Sequence, residues 1–252
     1  RRQRQMCIRD SIKGSTTEKR INSLKDLKFN VNTLDSCNFY RLRSSIFKAL
    51  QIRMGIGPIY KKVLSKILKE IIFFEPEYLI IETAILFNVR TLTKLKKNNP
   101  KLKIIFLTVD SIKNKTFQRP FFLKSLHLYD FIITTKPTDI KIYKKYFSKN
   151  LILSHQGVDE KNFLNYNLKS YEGYLKSEVV FIGDYGKKRA NAIKFLIQNN
   201  VPIKIFGFNW SKDKFFKSYF FGPVMEDNYY KVLNNSKIGL GFLNNEVGDE
   251  YT

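Results

Sequence analysis

Apolar runs of strand length that alternate with amphipathic segments of helix length, twice over, constrain this chain more than any single residue does. Tyr78-Leu79-Ile80-Ile81-Glu82, Lys103 to Val109, Tyr129 to Thr135 and Leu151 to Ser154 are such runs, and Thr91 to Asn98 and Asp139 to Phe147 read as helices between them. Continuous apolar runs mark strands buried on both faces, and helices between strands mark crossover connections, so a parallel sheet is expected. The pattern then restarts. A strand is expected over 178–182, a helix over 187–199, a strand from Ile203 to Phe206, a helix from Asp227 to Asn234 and a last strand from Ile238 to Phe242. The implied fold class is α/β: a pair of Rossmann-like domains with parallel sheets, with ligand-facing loops at the strand ends and a cleft expected between the halves.

Upstream, Ser15 or Thr16 can cap a helix whose buried stripe is expected to be Ile21, Leu24 and Leu27, and a short strand follows from Phe29 to Leu34. Residues 42–72 read as helical with an interruption at Gly55-Ile56-Gly57-Pro58, after which Val63, Leu64, Ile67, Leu68 and Ile71 recur at helical spacing. A doubly wound domain needs a strand before Gly14. The residues standing there, Arg1 to Ser11, resemble the translation of a transposase adapter used in sequencing libraries and are set aside as foreign to the protein. The expected organisation is therefore an adapter remnant at 1–11, a first domain at 12–159, a crossing at 160–176 and an incomplete second domain at 177–252, truncated at both ends.

The formal net charge is +23, and setting aside four Arg and one Asp of the first eleven residues leaves +20. So basic a chain directs attention to nucleic acid or an anionic membrane surface. Its lysines are spread over nearly every expected helix, and Asn, Ile, Phe and Tyr are abundant with them, as an AT-rich genome would produce. General solubilising charge is the plainest explanation, a membrane surface comes second, and nucleic acid is an unlikely partner. No apolar run reaches the ~18–20 residues that span a bilayer, and Cys7 and Cys37 form neither a disulfide framework nor a metal site. A cytoplasmic setting is expected, with peripheral contact at the inner face of the membrane left open. There is no Gly-x-x-x-x-Gly-Lys-Ser/Thr loop, no Gly-x-Ser-x-Gly elbow, no paired glycines of a dinucleotide fold at Gly14 and no His/Cys cluster for zinc.

Chemistry is concentrated at Val179 to Arg189. An apolar strand ends in Gly183-Asp184-Tyr185-Gly186 and a helix opens on Lys187-Lys188-Arg189, which is how an α/β protein builds a phosphate site. The plainer alternative is a strand end followed by solvated lysines. Gly207, Phe208, Asn209 and Trp210 follow the next strand, where an aromatic face could stack on a base or simply pack. Asn244, Asn245, Asp249 and Thr252 follow the last strand. In the first half, Gly14, Ser15 and Thr16 form a small-residue loop, and Asp110 and Glu82 are strand-end carboxylates that could act as a base or cap a helix. His155 also sits at a strand end, whereas His127 lies in a helical run and reads as structural.

The order Gly14-Ser15-Thr16, Tyr129-Asp130 through Thr135-Lys136, Gln156-Gly157-Val158-Asp159, Phe181-Ile182-Gly183 and Ile238-Gly239-Leu240-Gly241-Phe242 resembles the CgeB-like (spore-maturation-protein-like) glycosyltransferases over roughly residues 12–252. That resemblance implies a GT-B fold and a nucleotide-sugar donor used as substrate, with no cofactor and no metal. The acceptor would be a glycan, a protein or a lipid-linked group. It puts Gly183, Lys187, Lys188 and Arg189 at the donor diphosphate and Trp210 near the base. Asn244, Asp249 and Thr252 fall beside the donor sugar, and a glutamate-bearing helix is implied beyond Thr252. Gly14, Ser15 and Thr16 become an acceptor-side loop, with Asp110 and His155 as catalytic candidates; relatives more often carry proline at the position of His155. Two alternatives stay open: a nonenzymatic basic Rossmann-like protein binding nucleic acid or an anionic membrane surface, and a sugar-nucleotide epimerase.

Overall fold

A computed structural model describes residues 4–9, 16–35, 51, 54–82, 87–113, 120–155, 157, 176–225 and 227–242. The chain divides into two compact units, Arg1–Gln156 and Gly157–Thr252. Of the expected crossing at 160–176, all but Lys176 lies outside the described residues.

In the first unit the strands are β1 (Arg4–Arg9), β2 (Asn30–Asp35), β3 (Tyr78–Ile81), β4 (Lys103–Thr108), β5 (Phe131–Thr134) and β6 (Asn150–Leu153). They form one sheet in the order β2-β1-β3-β4-β5-β6 with every pairing parallel. The helices are α1 (Thr16–Asp26), α2 (Pro58–Phe74), α3 (Val89–Asn98), α4 (Pro120–Ser125) and α5 (Pro137–Tyr143). Leu79, Ile81, Ile104, Phe106 and Ile132 alternate onto one sheet face, where they bury Val63, Ile67 and Ile71 of α2 and Leu92 and Leu95 of α3. The same cluster takes in Phe122 of α4 and Tyr143 of α5, so α2 to α5 form one layer. Right-handed crossovers put α1, which joins β1 to β2 in the opposite direction, on the other face.

Arg4–Arg9, set aside at the level of sequence, pairs between β2 and β3, with Arg4 opposite Asn30 and Leu79 opposite Met6. A ladder is built from main-chain groups that any residue type supplies, and these six residues fill the place between β2 and β3 where a doubly wound domain needs a strand. A second difference concerns α1. Ile21 is buried, but Leu27 lies past the helix end and is 69% exposed, because the chain reverses through Lys28 at φ 66° and leaves the periodic face.

Local chemistry explains the other ends. Pro58 stands in the first turn of α2, where no N–H is needed, and the Gln51 side chain accepts from Ile59 N at 3.0 Å. The helix stops at Glu75, left-handed at φ 50°, whose N–H returns to Ile71 O. Asn88 caps α3 by accepting from Thr91 N at 3.0 Å.

The second unit has a three-stranded parallel sheet, β8-β7-β9, from β7 (Ser177–Ile182), β8 (Ile203–Phe206) and β9 (Ser236–Leu240). Val179 and Phe181 of β7 face α6 (Lys187–Gln198), packing with Ile193, Ile205, Trp210 and Phe216, while Val180 faces Val232 of α7 (Asp227–Asn234). The last strand begins and ends two residues earlier than the apolar run suggested, so Gly241 and Phe242 follow it. Among the described residues no helix is long and apolar enough to cross a membrane.

Candidate functional site

At the carboxyl end of β7 the chain makes its Gly183–Gly186 turn and enters α6. Gly183 N donates to Phe206 O at 2.8 Å and Tyr185 N to Phe208 O at 2.9 Å, which binds the turn to the end of β8. Gly186 stands at the N-cap of α6 with no side-chain cap. The first intrahelical bond is Ala190 N to Gly186 O, so the N–H groups of Gly186, Lys187, Lys188 and Arg189 are the ones an anion can use, and both lysine side chains are exposed beside them. No carboxylate stands in the first turn of α6.

A second loop presses against the first. Gly207 has φ 143°, and a Cβ there would overlap the Gly183 carbonyl oxygen, so only glycine permits the approach. The Asp184 carboxylate accepts from Phe208 N at 3.1 Å and ties the two turns together. The sequence puts Gly207 and Asp184 in candidate loops, but it does not show that the two loops touch. Gly-x-x-Gly drew attention to the turn, but the facing glycine depends on a tertiary contact 24 residues away.

Two of the expected ligand contacts have other work. Trp210 is completely buried, its Nε1 donates to Gly183 O at 2.8 Å, and Phe181, Tyr185 and Phe216 pack edge-on around its ring. It has no face left for a base; it braces the turn from beneath. The Arg189 guanidinium donates to Asp184 O and to Phe242 O, each at 3.2 Å, and lies 5.9 Å from the centre of the Phe181 ring. It joins the turn to the chain leaving β9 instead of projecting with Lys187 and Lys188. Asn244, Asn245, Asp249 and Thr252 lie outside the described residues.

In the first unit, parallel pairing brings the carboxyl ends of β3, β4, β5 and β6 to one edge. Glu82 stands there with its side chain 5% exposed, held by Arg20 Nη2 at 2.6 Å and by the Thr17 hydroxyl at 3.3 Å. A base at that position would first have to leave its arginine. Asp110 is exposed, and its loop is clasped from below: buried Asp139 accepts from Ser111 Oγ at 2.7 Å and from Ile112 N at 2.6 Å. His155 is exposed just past β6, with its carbonyl accepting from Ser154 Oγ at 3.2 Å. Thr16 opens α1 and is exposed, while Gly14 and Ser15 lie outside the described residues. Among the described residues no three His, Cys, Asp or Glu side chains gather as a metal site.

No family model matches the chain, and no curated protein matches it by sequence. Solved structures match it in fold. An α,α-trehalose 6-phosphate synthase from Burkholderia multivorans aligns over 95% of this chain and 76% of its own, with a TM-score of 0.57 and 11% identity. A UDP-GlcNAc 2-epimerase from Neisseria meningitidis, solved bound to UDP-GlcNAc, aligns over 94% and 76%, with a TM-score of 0.50 and 10% identity. At such identities the likeness is one of fold: this chain is an α/β protein with parallel sheets of the GT-B kind.

Proposed function

We propose that this chain is a glycosyltransferase that holds the diphosphate of a nucleotide-sugar donor on its second unit, at the turn from Gly183 to Lys188. The sugar passes to a glycan, protein or lipid-linked acceptor. One observation carries the reading: in a parallel sheet, β7 runs through Gly-x-x-Gly into an uncapped helix start flanked by Lys187 and Lys188. Breaking a sugar–phosphate bond builds negative charge on the departing diphosphate. Helix N–H groups and two ammonium groups at its landing place stabilise that charge without a metal. The fold likeness to an epimerase solved bound to UDP-GlcNAc supports a nucleotide-sugar substrate.

The finer assignment, to the CgeB-like glycosyltransferases, rests on the order of residues given above. Asp110, an exposed carboxylate on a clasped loop, is the proposed acceptor-side base. His155 is the second candidate, and Asn244, Asp249 and Thr252 are proposed at the donor sugar. Thermal unfolding with a panel of UDP-, GDP- and ADP-sugars tests the proposal, because a donor at about 100 times its Kd stabilises the fold by about 2.7 kcal/mol. A stabilising donor whose nucleotide is released only when acceptor is present, with or without EDTA, is the expected result. Isomerisation of the donor sugar without acceptor would move the protein to the epimerase alternative, and no stabilisation by any donor would defeat both.

A further inference from the structure

Folding gathers onto one layer a charge that the sequence spreads along its length. On α2, Lys62, Lys66 and Lys69 follow each other at i, i+4 and i+7, opposite the buried line Tyr60, Val63, Ile67 and Ile71. The next residue on that outer line is Phe73, which is 88% exposed, and Ile72 beside it is 43% exposed. On α3, packed next to α2 in the same layer, Arg90, Lys94 and Lys97 repeat the spacing opposite Leu92 and Leu95. All six cations are exposed, and none is paired with a carboxylate among the described residues. Across the described residues of α2, α3, α4 and α5, Glu70 is the one exposed carboxylate, since Asp139 is buried. The contrast is α1 on the other face, which mixes Glu18 and Asp26 with Lys19, Arg20 and Lys25.

Solubility accounts for a layer of lysines. It does not account for two adjacent exposed apolar residues at the end of a lysine line, one of them the most exposed large hydrophobic among the described residues. We propose that the α2–α3 face docks on an anionic lipid bilayer, with the lysine and arginine head groups among lipid phosphates and with Ile72 and Phe73 entering the acyl boundary. Charge complementarity sets the sign of the partner. The apolar pair selects a bilayer over a nucleic acid, whose phosphate backbone offers sites for cations and no apolar layer for Phe73. Glu75 and Glu77 lie past the end of α2, where the chain turns back into β3, and mark the edge of the face. The surface belongs wholly to the first unit and does not depend on the proposed transferase activity.

Co-sedimentation of the whole chain with vesicles tests this, using phosphatidylcholine alone and phosphatidylcholine with about 30% phosphatidylserine at about 0.1 M salt. Binding is expected to the anionic vesicles only. Lys62→Glu/Lys66→Glu/Lys69→Glu is expected to weaken it by at least about a hundredfold, at about fivefold for each lysine lost. Phe73→Ser is expected to weaken it by about tenfold, and Lys25→Glu on α1 to leave it unchanged. Thermal melts accompany each variant, and Phe73→Ser, at a solvated position, decides the matter alone should the triple reversal unfold the chain. Vesicle binding that survives Phe73→Ser, or that falls equally with Lys25→Glu, overturns the proposal. So does a DNA duplex that binds the chain and loses affinity with the triple variant while Phe73→Ser leaves vesicle binding intact.

Discussion

Gly207→Ala puts the packing of the two turns to a direct test. The glycine sits at φ 143°, and a Cβ built on it overlaps the Gly183 oxygen and stands 2.5 Å from its carbonyl carbon. The Gly183 peptide must shift to make room. Its carbonyl accepts from Trp210 Nε1 and its N–H donates to Phe206 O, both at 2.8 Å, so two hydrogen bonds are put at risk. Each is worth about 0.5–1.5 kcal/mol, and a residue with a side chain at such a φ costs about 1–3 kcal/mol more. The expected loss is about 3–4 kcal/mol, a large part of the about 5–15 kcal/mol that keeps a domain folded. Gly222→Ala is the internal control: its φ is 89°, but nothing stands within 4 Å of the new Cβ. Only the backbone cost applies there, about 1–3 kcal/mol, since the Gly222 carbonyl can go on accepting from Gly207 N at 3.1 Å. Trp210 is the chain's one tryptophan and is buried against Gly183, so its fluorescence during urea unfolding reports this region. If Gly207→Ala costs no more than Gly222→Ala, the two turns are not packed as described.

Arg189→Ala removes two charge-assisted bonds to main-chain carbonyls and is expected to cost about 2–3 kcal/mol by the same urea assay; a loss of nucleotide affinity with unchanged stability would instead make Arg189 a ligand contact. Asp184→Asn keeps an acceptor for Phe208 N but deletes a negative charge from the turn, so nucleoside diphosphate affinity is expected to rise about two- to fivefold. A fall in affinity by calorimetry would place the diphosphate elsewhere. Burial pushes the Tyr60 phenol up to about 12 and raises those of Tyr129 and Tyr143 further, from an ordinary value of 10.0. These phenols stay protonated in the fold and ionise first in the unfolded chain, so their stabilisation is complete below pH 10 and is lost as pH rises above it. The expected decline is about 1.4 kcal/mol per pH unit for each tyrosine, read by urea unfolding across the alkaline range, and Tyr60→Phe should make it shallower by one of the three contributions.

The strands were legible because period-two and continuous apolar runs are local signals, and β3, β4, β7 and β8 fall within a residue or two of where those runs lie. The stripe of α2 was legible for the same reason. Leu27 was misplaced because helix termination is decided by Lys28 turning left-handed, which periodicity does not record. Within the site, the strand–glycine–helix turn is a local signal too. Trp210 and Arg189 were legible as residue types and not as roles, since each role is fixed by a carbonyl distant in sequence: Gly183 for the first, Phe242 for the second. The cationic layer was hidden for a related reason. Lysines that look evenly spread along the chain share one face only once α2 and α3 lie side by side.

The central claim is that the turn from Gly183 to Lys188 holds a nucleotide diphosphate. Calorimetric titration with UDP, GDP and ADP, on the wild-type chain and on Lys187→Glu/Lys188→Glu, tests it most directly. At least one nucleotide should bind saturably, and the double variant, with both side chains exposed and no role in packing, should keep its melting temperature while Kd rises about thirtyfold. A chain that binds none of the three nucleotides, or a double variant that binds as wild type does, would contradict it.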